Sequence, residues 1–130
     1  MFPDRADRID ALVAIGQRYD KSSAADVPRS AERRVPGCES EVFIDAQPQG
    51  AGLKFRFAVD NPQGISAMAL AELLDEGLSG EPLQSVTQVP DDLVYEVFGR
   101  ELSMGKSMGL TGMLRMVKHE AAKALQAKSF

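Results

Sequence analysis

The chain has 130 residues, of which 44% are apolar, so it is long enough for one domain with a sizeable core, and we expect a single domain over residues 1–130. Its net charge of −4 argues against nucleic-acid binding, which needs clustered basic side chains, and no apolar run approaches the roughly 20 residues that span a membrane. The N-terminus has no apolar signal region, and the single cysteine allows no intramolecular disulfide. We therefore expect a protein of a reducing, cytoplasmic compartment.

The first predicted element is a helix that Asp4 caps and that ends near Tyr19. Its apolar positions recur with helical spacing and are expected to face inward: Ile9, Leu12, Val13, Gly16 and Tyr19. Small polar residues over 21–28 predict a loop, and a short helical turn is expected over 30–34.

Two strands follow. Residues 41–46 are predicted to form one strand, and residues 53–60 a clearer one, because apolar and other side chains alternate there as on a half-buried strand. The proline- and glycine-rich residues 47–52 between them predict a hairpin loop.

The remainder is predicted to be mainly helical. A helix from Asn61-Pro62 to about Gly77 is expected to turn Ile65, Met68, Ala69, Leu73 and Leu74 inward. Residues 81–88 are ambiguous, and residues 93–98 fit helix or strand, with Asp91 and Asp92 before them interpreted as capping residues. The last helix is predicted over 107–128, with an apolar stripe formed by Leu110, Met113, Leu114, Val117, Ala121 and Leu125. The fold class is therefore α+β, a small antiparallel sheet flanked by helices.

Cys38 is the one residue whose chemistry can define a function. A lone cysteine is most often a small buried apolar residue. This one follows Pro36-Gly37, which breaks regular structure, so it is expected at a turn, and loops often carry reactive groups. Arg33 and Arg34 can favour its thiolate, while Glu39 and Glu41 oppose it.

Two segments carry a family resemblance. The run Val35-Pro36-Gly37-Cys38-Glu39-Ser40 with the strand after it resembles the cysteine motif of the SufE/CsdE family. The segment from Leu102-Ser103 through Lys106 to Gly109-Leu110 is similar to the family's motif before its last helix. Here Lys106 stands where the family has arginine, and Arg33 stands where an asparagine is frequent. Lysine does not replace arginine where a planar, two-pronged donor is needed.

The resemblance implies a fold shared with the IscU/NifU scaffold proteins. It also implies a function: Cys38 accepts persulfide sulfur from a SufS/CsdA-type cysteine desulfurase and passes it to an iron–sulfur scaffold complex. Pyridoxal phosphate then belongs to the partner, this chain binds no cofactor or metal, and it acts as a carrier rather than a stand-alone enzyme. Arg33, Arg34 and Lys106 become candidates for positioning the loop or contacting the partner.

The resemblance further implies that the cysteine loop folds against an apolar hollow in the free protein and swings out on the partner. Pro36-Gly37 can supply a stiff arm and a permissive joint, since proline fixes φ and glycine tolerates unusual backbone angles. Met108 or Leu110, near the start of the last helix, is a candidate for the lining of that hollow.

Two other functions stay open at this point. One is an iron–sulfur scaffold, which normally needs several thiolates, whereas this chain has one cysteine. The other is an interaction domain with an inert cysteine.

Two further motifs are not interpreted as sites. The near P-loop at 99–107 has one residue too many between its glycines. A lone His119 is interpreted as a solvated helix residue rather than a metal ligand.

Overall fold

The protein is described by a computed structural model that covers residues 5–19, 24–38, 40–61, 64–100 and 102–128. Its elements are helix α1 Arg5–Gln17, a 3₁₀ turn Ala31–Arg33, strands β1 Val42–Gln49 and β2 Gly52–Val59, and helices α2 Ile65–Leu78, α3 Leu83–Thr87, α4 Leu93–Phe98 and α5 Met104–Lys128. The α+β class predicted from the sequence is confirmed. The proposed cap Asp4 lies outside the described residues.

The two strands form an antiparallel hairpin whose register runs from the pair Val42–Val59 to the pair Gln49–Gly52. The alternating segment is therefore a strand, as predicted. The loop predicted over 47–52 is wrong, because pairing continues through Gln49 and the turn is only residues 50–51, with Gly50 at a φ of 60°. Pro48 is tolerated inside β1 because each strand of a two-stranded sheet has an open edge where no N–H is needed.

The sheet is covered on both faces. Ile44 and Phe55 belong to the main core, which α2 and α5 complete. Phe43 and Ala58 pack instead with Ala24 and with Val27 in a smaller cluster. Because both faces are buried, Ala58 is as inaccessible as its neighbours Phe57 and Val59.

Helix α5 has the predicted apolar stripe. Leu110, Met113, Leu114, Val117 and Ala121 are buried. Leu125 is partly buried against the same core. The helix begins at Met104, three residues before the predicted start at Ser107. Ser103 explains the earlier start, since its carbonyl accepts from the Ser107 N–H at 2.9 Å and its hydroxyl from the Lys106 N–H at 3.3 Å.

The predicted inward faces of α1 and α2 are partly wrong. Ile9 and Val13 are 49% and 37% exposed, and Ile65 is 48% exposed. Helix α1 packs mainly on α2, where buried Gly16 lies close to the backbone of Ile65, and part of its apolar face stays exposed. The predicted end of α1 is well anchored, because the Tyr19 hydroxyl donates to the Phe57 carbonyl at 2.8 Å and accepts from the Val59 N–H.

The two ambiguous segments are both helical, as α3 and α4. The interpretation of the acidic pair before α4 as side-chain caps is wrong, since Asp92 makes no such bond. Asp91 instead contacts α5, through Lys118 at 2.8 Å and Arg115 at 3.3 Å. In the part of the chain that is described, no helix combines the length and the apolar character needed to cross a membrane.

Candidate functional site

The cysteine lies in a loop that is closed at its base like a small hairpin. The Val35 N–H donates to the Val42 carbonyl at 2.8 Å, and Arg34 bridges to Phe43. Val35 and Val42 are both buried in the core, so each end of the loop is anchored. Between them Gly37 has a φ of 74°, a conformation that other residues rarely adopt, which accounts for glycine before the cysteine.

Helix α5 lets the loop approach closely because it carries glycine at the contact. A Cβ at Gly109 would stand 2.9 Å from the Cys38 Cα and 3.0 Å from its Sγ. A Cβ at Gly112 would stand 3.0 Å from a methyl group of Val35. The half-buried Cys38 thus lies directly on the helix backbone, with no room for a larger side chain beneath it.

The cysteine lines a hollow of about 330 Å³, called here the cysteine hollow. Other parts of its wall come from Ser40, from Asn61 and from Ser66 and Leu110. The Asn61 amide donates to the Ser40 hydroxyl at 3.1 Å, which ties the end of the loop to the segment before α2. The hypothesis that Leu110 lines a hollow next to the cysteine is confirmed. The walls of the cysteine hollow mix apolar and polar groups, whereas an apolar hollow was expected.

The three cations proposed from the sequence have different neighbours. Lys106 is exposed and lines the cysteine hollow. Arg33 pairs with the buried Asp45 at 2.7 Å, and Arg34 lies 3.9 Å from Glu41, an exposed pair. The structure therefore places Lys106 in the wall of the hollow that Cys38 also lines, while both arginines interact with acids of β1 and the loop before it.

Asp45 is the residue that sequence reasoning missed. It is the one charged side chain among the buried residues described, and its second carboxylate oxygen accepts from Gln47 at 3.0 Å. The sequence did contain a signal for it, namely an acidic residue within the apolar start of β1. An acid buried in a strand requires a partner. Through Arg33 it holds the 3₁₀ turn that leads into the cysteine loop.

A second depression lies beside the loop. It measures about 630 Å³ and is lined by Pro36 and Gly37, by Tyr95 of α4, and by Met108 and His119 of α5. Met108 therefore lies beside the loop but outside the cysteine hollow, and His119 is exposed as predicted. No group of three or more acidic, histidine or cysteine side chains is placed to hold a metal within the described ranges.

The near P-loop has the wrong surroundings for a phosphate site. Lys106 and Ser107 lie in the first turns of α5, and helix α4 rather than a strand precedes the segment.

The cysteine site offers one thiol on an anchored loop. This thiol is partly sheltered, and a cation lies on the same wall of the hollow. Such a thiol is suited to nucleophilic exchange of sulfur.

Comparison with known proteins identifies a similar structure and a family. A solution structure titled as that of a hypothetical protein from Thermus thermophilus is similar, with a TM-score of 0.62 and 25% identity over 97% of this chain and 99% of that chain. None of the curated proteins matches the chain. The family model described as SufE, Fe-S metabolism associated domain, matches residues 1–121. The chain therefore belongs to the SufE family, whose domain is associated with iron–sulfur metabolism.

Proposed function

We propose that the protein accepts sulfur from a pyridoxal-phosphate cysteine desulfurase on Cys38, activates that enzyme by relieving it of its product, and passes the sulfur toward iron–sulfur cluster assembly. The observation that carries the proposal is the anchored loop, which holds the chain's single thiol half-buried on Gly109 and beside a hollow. Family membership supplies the connection to iron–sulfur metabolism.

The chemistry is a transfer without net oxidation. The Cys38 thiolate attacks the terminal sulfur of the persulfide on the desulfurase cysteine. The bond between that sulfur and the desulfurase cysteine breaks, and the desulfurase thiolate leaves with the electron pair. One S–S bond forms as one breaks, so no oxidant or reductant is consumed, and the proton of the terminal sulfur stays with the new persulfide.

The same loop geometry supports an exchange between a closed and an open state. An exposed persulfide is open to oxidation and to attack by small thiols, so a sheltered position favours delivery to the intended acceptor. Rotation about Gly37, with Val35 and Val42 kept in the core, brings the thiol outward without unfolding the sheet. Contacts with the desulfurase then stabilise the open state and shift its population.

The iron–sulfur scaffold is the rival function. A scaffold holds its cluster with several thiolates, and this chain has only Cys38. Anaerobic reconstitution with iron and sulfide separates the two functions, because a scaffold gains the visible absorption of a cluster and a carrier does not.

The test of the proposal is stimulation of a desulfurase. Adding the protein to a SufS/CsdA-type enzyme with excess cysteine should raise the steady rate of alanine formation, since transfer to Cys38 empties the enzyme's own cysteine. Cys38→Ser should fold normally and give no stimulation. Equal stimulation by Cys38→Ser and by the wild type contradicts the proposal. If the protein is an interaction domain with an inert cysteine, neither the wild type nor Cys38→Ser stimulates the desulfurase.

A further inference from the structure

Two neighbouring residues of α5 face two neighbouring residues of the cysteine loop. Gly109 lies under Cys38, and a Cβ placed on Gly37 would stand 3.6 Å from the methyl carbon of Met108 and 3.9 Å from its Cβ. Apart from the chain neighbours of Gly37, no other atom of the described residues comes within 4 Å of that position. The Met108 side chain therefore lies over the side of Gly37 from which a side chain would project.

Met108 is only partly held by its surroundings. Its side chain is 56% exposed, and together with Pro36 and Gly37 it lines the second depression. Methionine is unbranched and has three rotatable bonds, so the side chain can turn away from the loop without a movement of α5. Met108 is thus placed to pack against the loop and is free to release it.

Gly37 is the residue about which the loop rotates in the proposed opening. It has a φ of 74°, and Val35 before it is anchored in the core. Outward rotation of Cys38 turns Gly37 away from α5, so its packing with Met108 is present in the closed loop and absent in the open one. A contact that is made in only one of two states shifts their populations toward that state.

We propose that Met108 is a positioning residue that holds the cysteine loop closed and thereby sets the fraction of the protein that is ready to receive sulfur. This inference rests on the proposed function, since a closed loop matters only if Cys38 has to be presented to a desulfurase. Met108 lines the second depression and not the cysteine hollow, so it acts through Gly37 rather than on the transferred sulfur.

The test compares the rates at which iodoacetamide alkylates Cys38 in single variants, followed by intact mass. Met108→Ala removes the side chain beyond its Cβ, whereas Met108→Leu keeps an apolar side chain of similar volume. Met104→Ala is the matched control, because Met104 lies one helical turn earlier on α5, is 78% exposed and lines neither the cysteine hollow nor the second depression. Methionine, leucine and alanine are all good helix formers, so the thermal midpoint should change little in each variant.

We expect Cys38 to be alkylated about 3- to 5-fold faster in Met108→Ala than in the wild type, a modest factor because more than half of the Met108 side chain is already in water. Met108→Leu and Met104→Ala should differ from the wild type by less than about 2-fold. The concentration of Met108→Ala that stimulates a desulfurase half-maximally should fall by the factor by which alkylation rises, because apparent affinity scales with the population of the binding-competent state.

The outcomes separate this inference from the proposed function. Alkylation of Met108→Ala at the wild-type rate overturns the role of Met108, and so does alkylation of Met108→Leu or Met104→Ala as fast as that of Met108→Ala. Faster alkylation without a fall in the half-maximal concentration overturns the claim that Met108 sets the fraction ready for sulfur. Alkylation needs no desulfurase, so if the wild type stimulates none and the proposed function fails, the alkylation rates still decide whether Met108 holds the loop closed.

Discussion

The contact between Gly109 and the cysteine allows a quantitative test of the sheltered loop. In Gly109→Ala the new methyl carbon would stand 2.9 Å from the Cys38 Cα, 3.0 Å from its Sγ and 3.2 Å from its Cβ. Ordinary carbon contacts begin at about 3.5 Å, so the loop has to retreat by roughly 0.6 Å. Overpacking of this kind costs about 1–3 kcal/mol, and here it falls on the closed position of the loop.

The expected result is a more accessible thiol on an equally stable protein. Because the loop has to retreat by only a fraction of an ångström, we take the lower part of that range, and about 1–2 kcal/mol increases the open population about 5- to 30-fold. The helix itself gains about 1 kcal/mol from alanine, which offsets the strain in overall stability. Alkylation of Cys38 by iodoacetamide, followed by intact mass, should therefore be about 5- to 30-fold faster in Gly109→Ala, while the thermal midpoint changes little.

A second glycine provides the control. Gly77 lies on α2, and no atom of the described residues outside its own helix and chain neighbours would come within 4 Å of a Cβ placed there. Gly77→Ala should raise the thermal midpoint and leave the alkylation rate at the wild-type value. Equal rates in Gly109→Ala and the wild type would refute the argument that this contact holds the loop closed, as would wild-type labelling as fast as that of an unstructured cysteine peptide.

Three further predictions test individual side chains. Lys106→Ala should weaken stimulation of the desulfurase with little change in thermal midpoint, since the side chain is exposed; an unchanged stimulation curve would leave it as a solvated lysine. Arg33→Ala should lower the free energy of unfolding by about 1–3 kcal/mol in denaturant titration, because buried Asp45 loses its ion pair, with stimulation per folded molecule unchanged; unaltered stability would contradict this. The hydrogen bond from Lys118 holds the pKa of Asp91 below its ordinary value, so this group stabilises the fold above about pH 4 and loses its contribution as the pH falls through the lowered value. Asp91→Asn should therefore melt below the wild type at neutral pH, and the gap should close in acid; a gap independent of pH would argue against the pairing.

The parts of the fold that the sequence predicted well are those determined by local signals. The alternation in β2 identified a strand because side chains on a strand point to opposite faces in turn. Pro36-Gly37 indicated the turn before Cys38, since proline fixes its own φ and glycine tolerates a positive φ, as Gly37 has here. The stripe on α5 was recognised because its apolar residues recur with helical spacing.

What escaped prediction depends on contacts between distant parts of the chain. Arg33 was a candidate for favouring the thiolate, positioning the loop or contacting the partner, but its pairing with Asp45 on the neighbouring strand was not foreseen, because no spacing rule connects the two. Ile9 and Ile65 have the periodicity of buried positions, yet periodicity identifies an apolar face without showing whether another element covers it. The close approach of Cys38 to Gly109 depends on the packing of a loop on a helix some seventy residues later, a separation at which local sequence rules carry no information.

The central claim is that Cys38 carries the sulfur, and a single-turnover mass measurement tests it most directly. The protein is mixed anaerobically with a desulfurase and one equivalent of cysteine, separated, and weighed intact before and after a reductant. We predict a gain of one sulfur atom that the reductant removes, located by peptide mapping to residue 38 and absent in Cys38→Ser. A wild-type protein whose mass is unchanged, while the desulfurase has formed its own persulfide, would contradict the account.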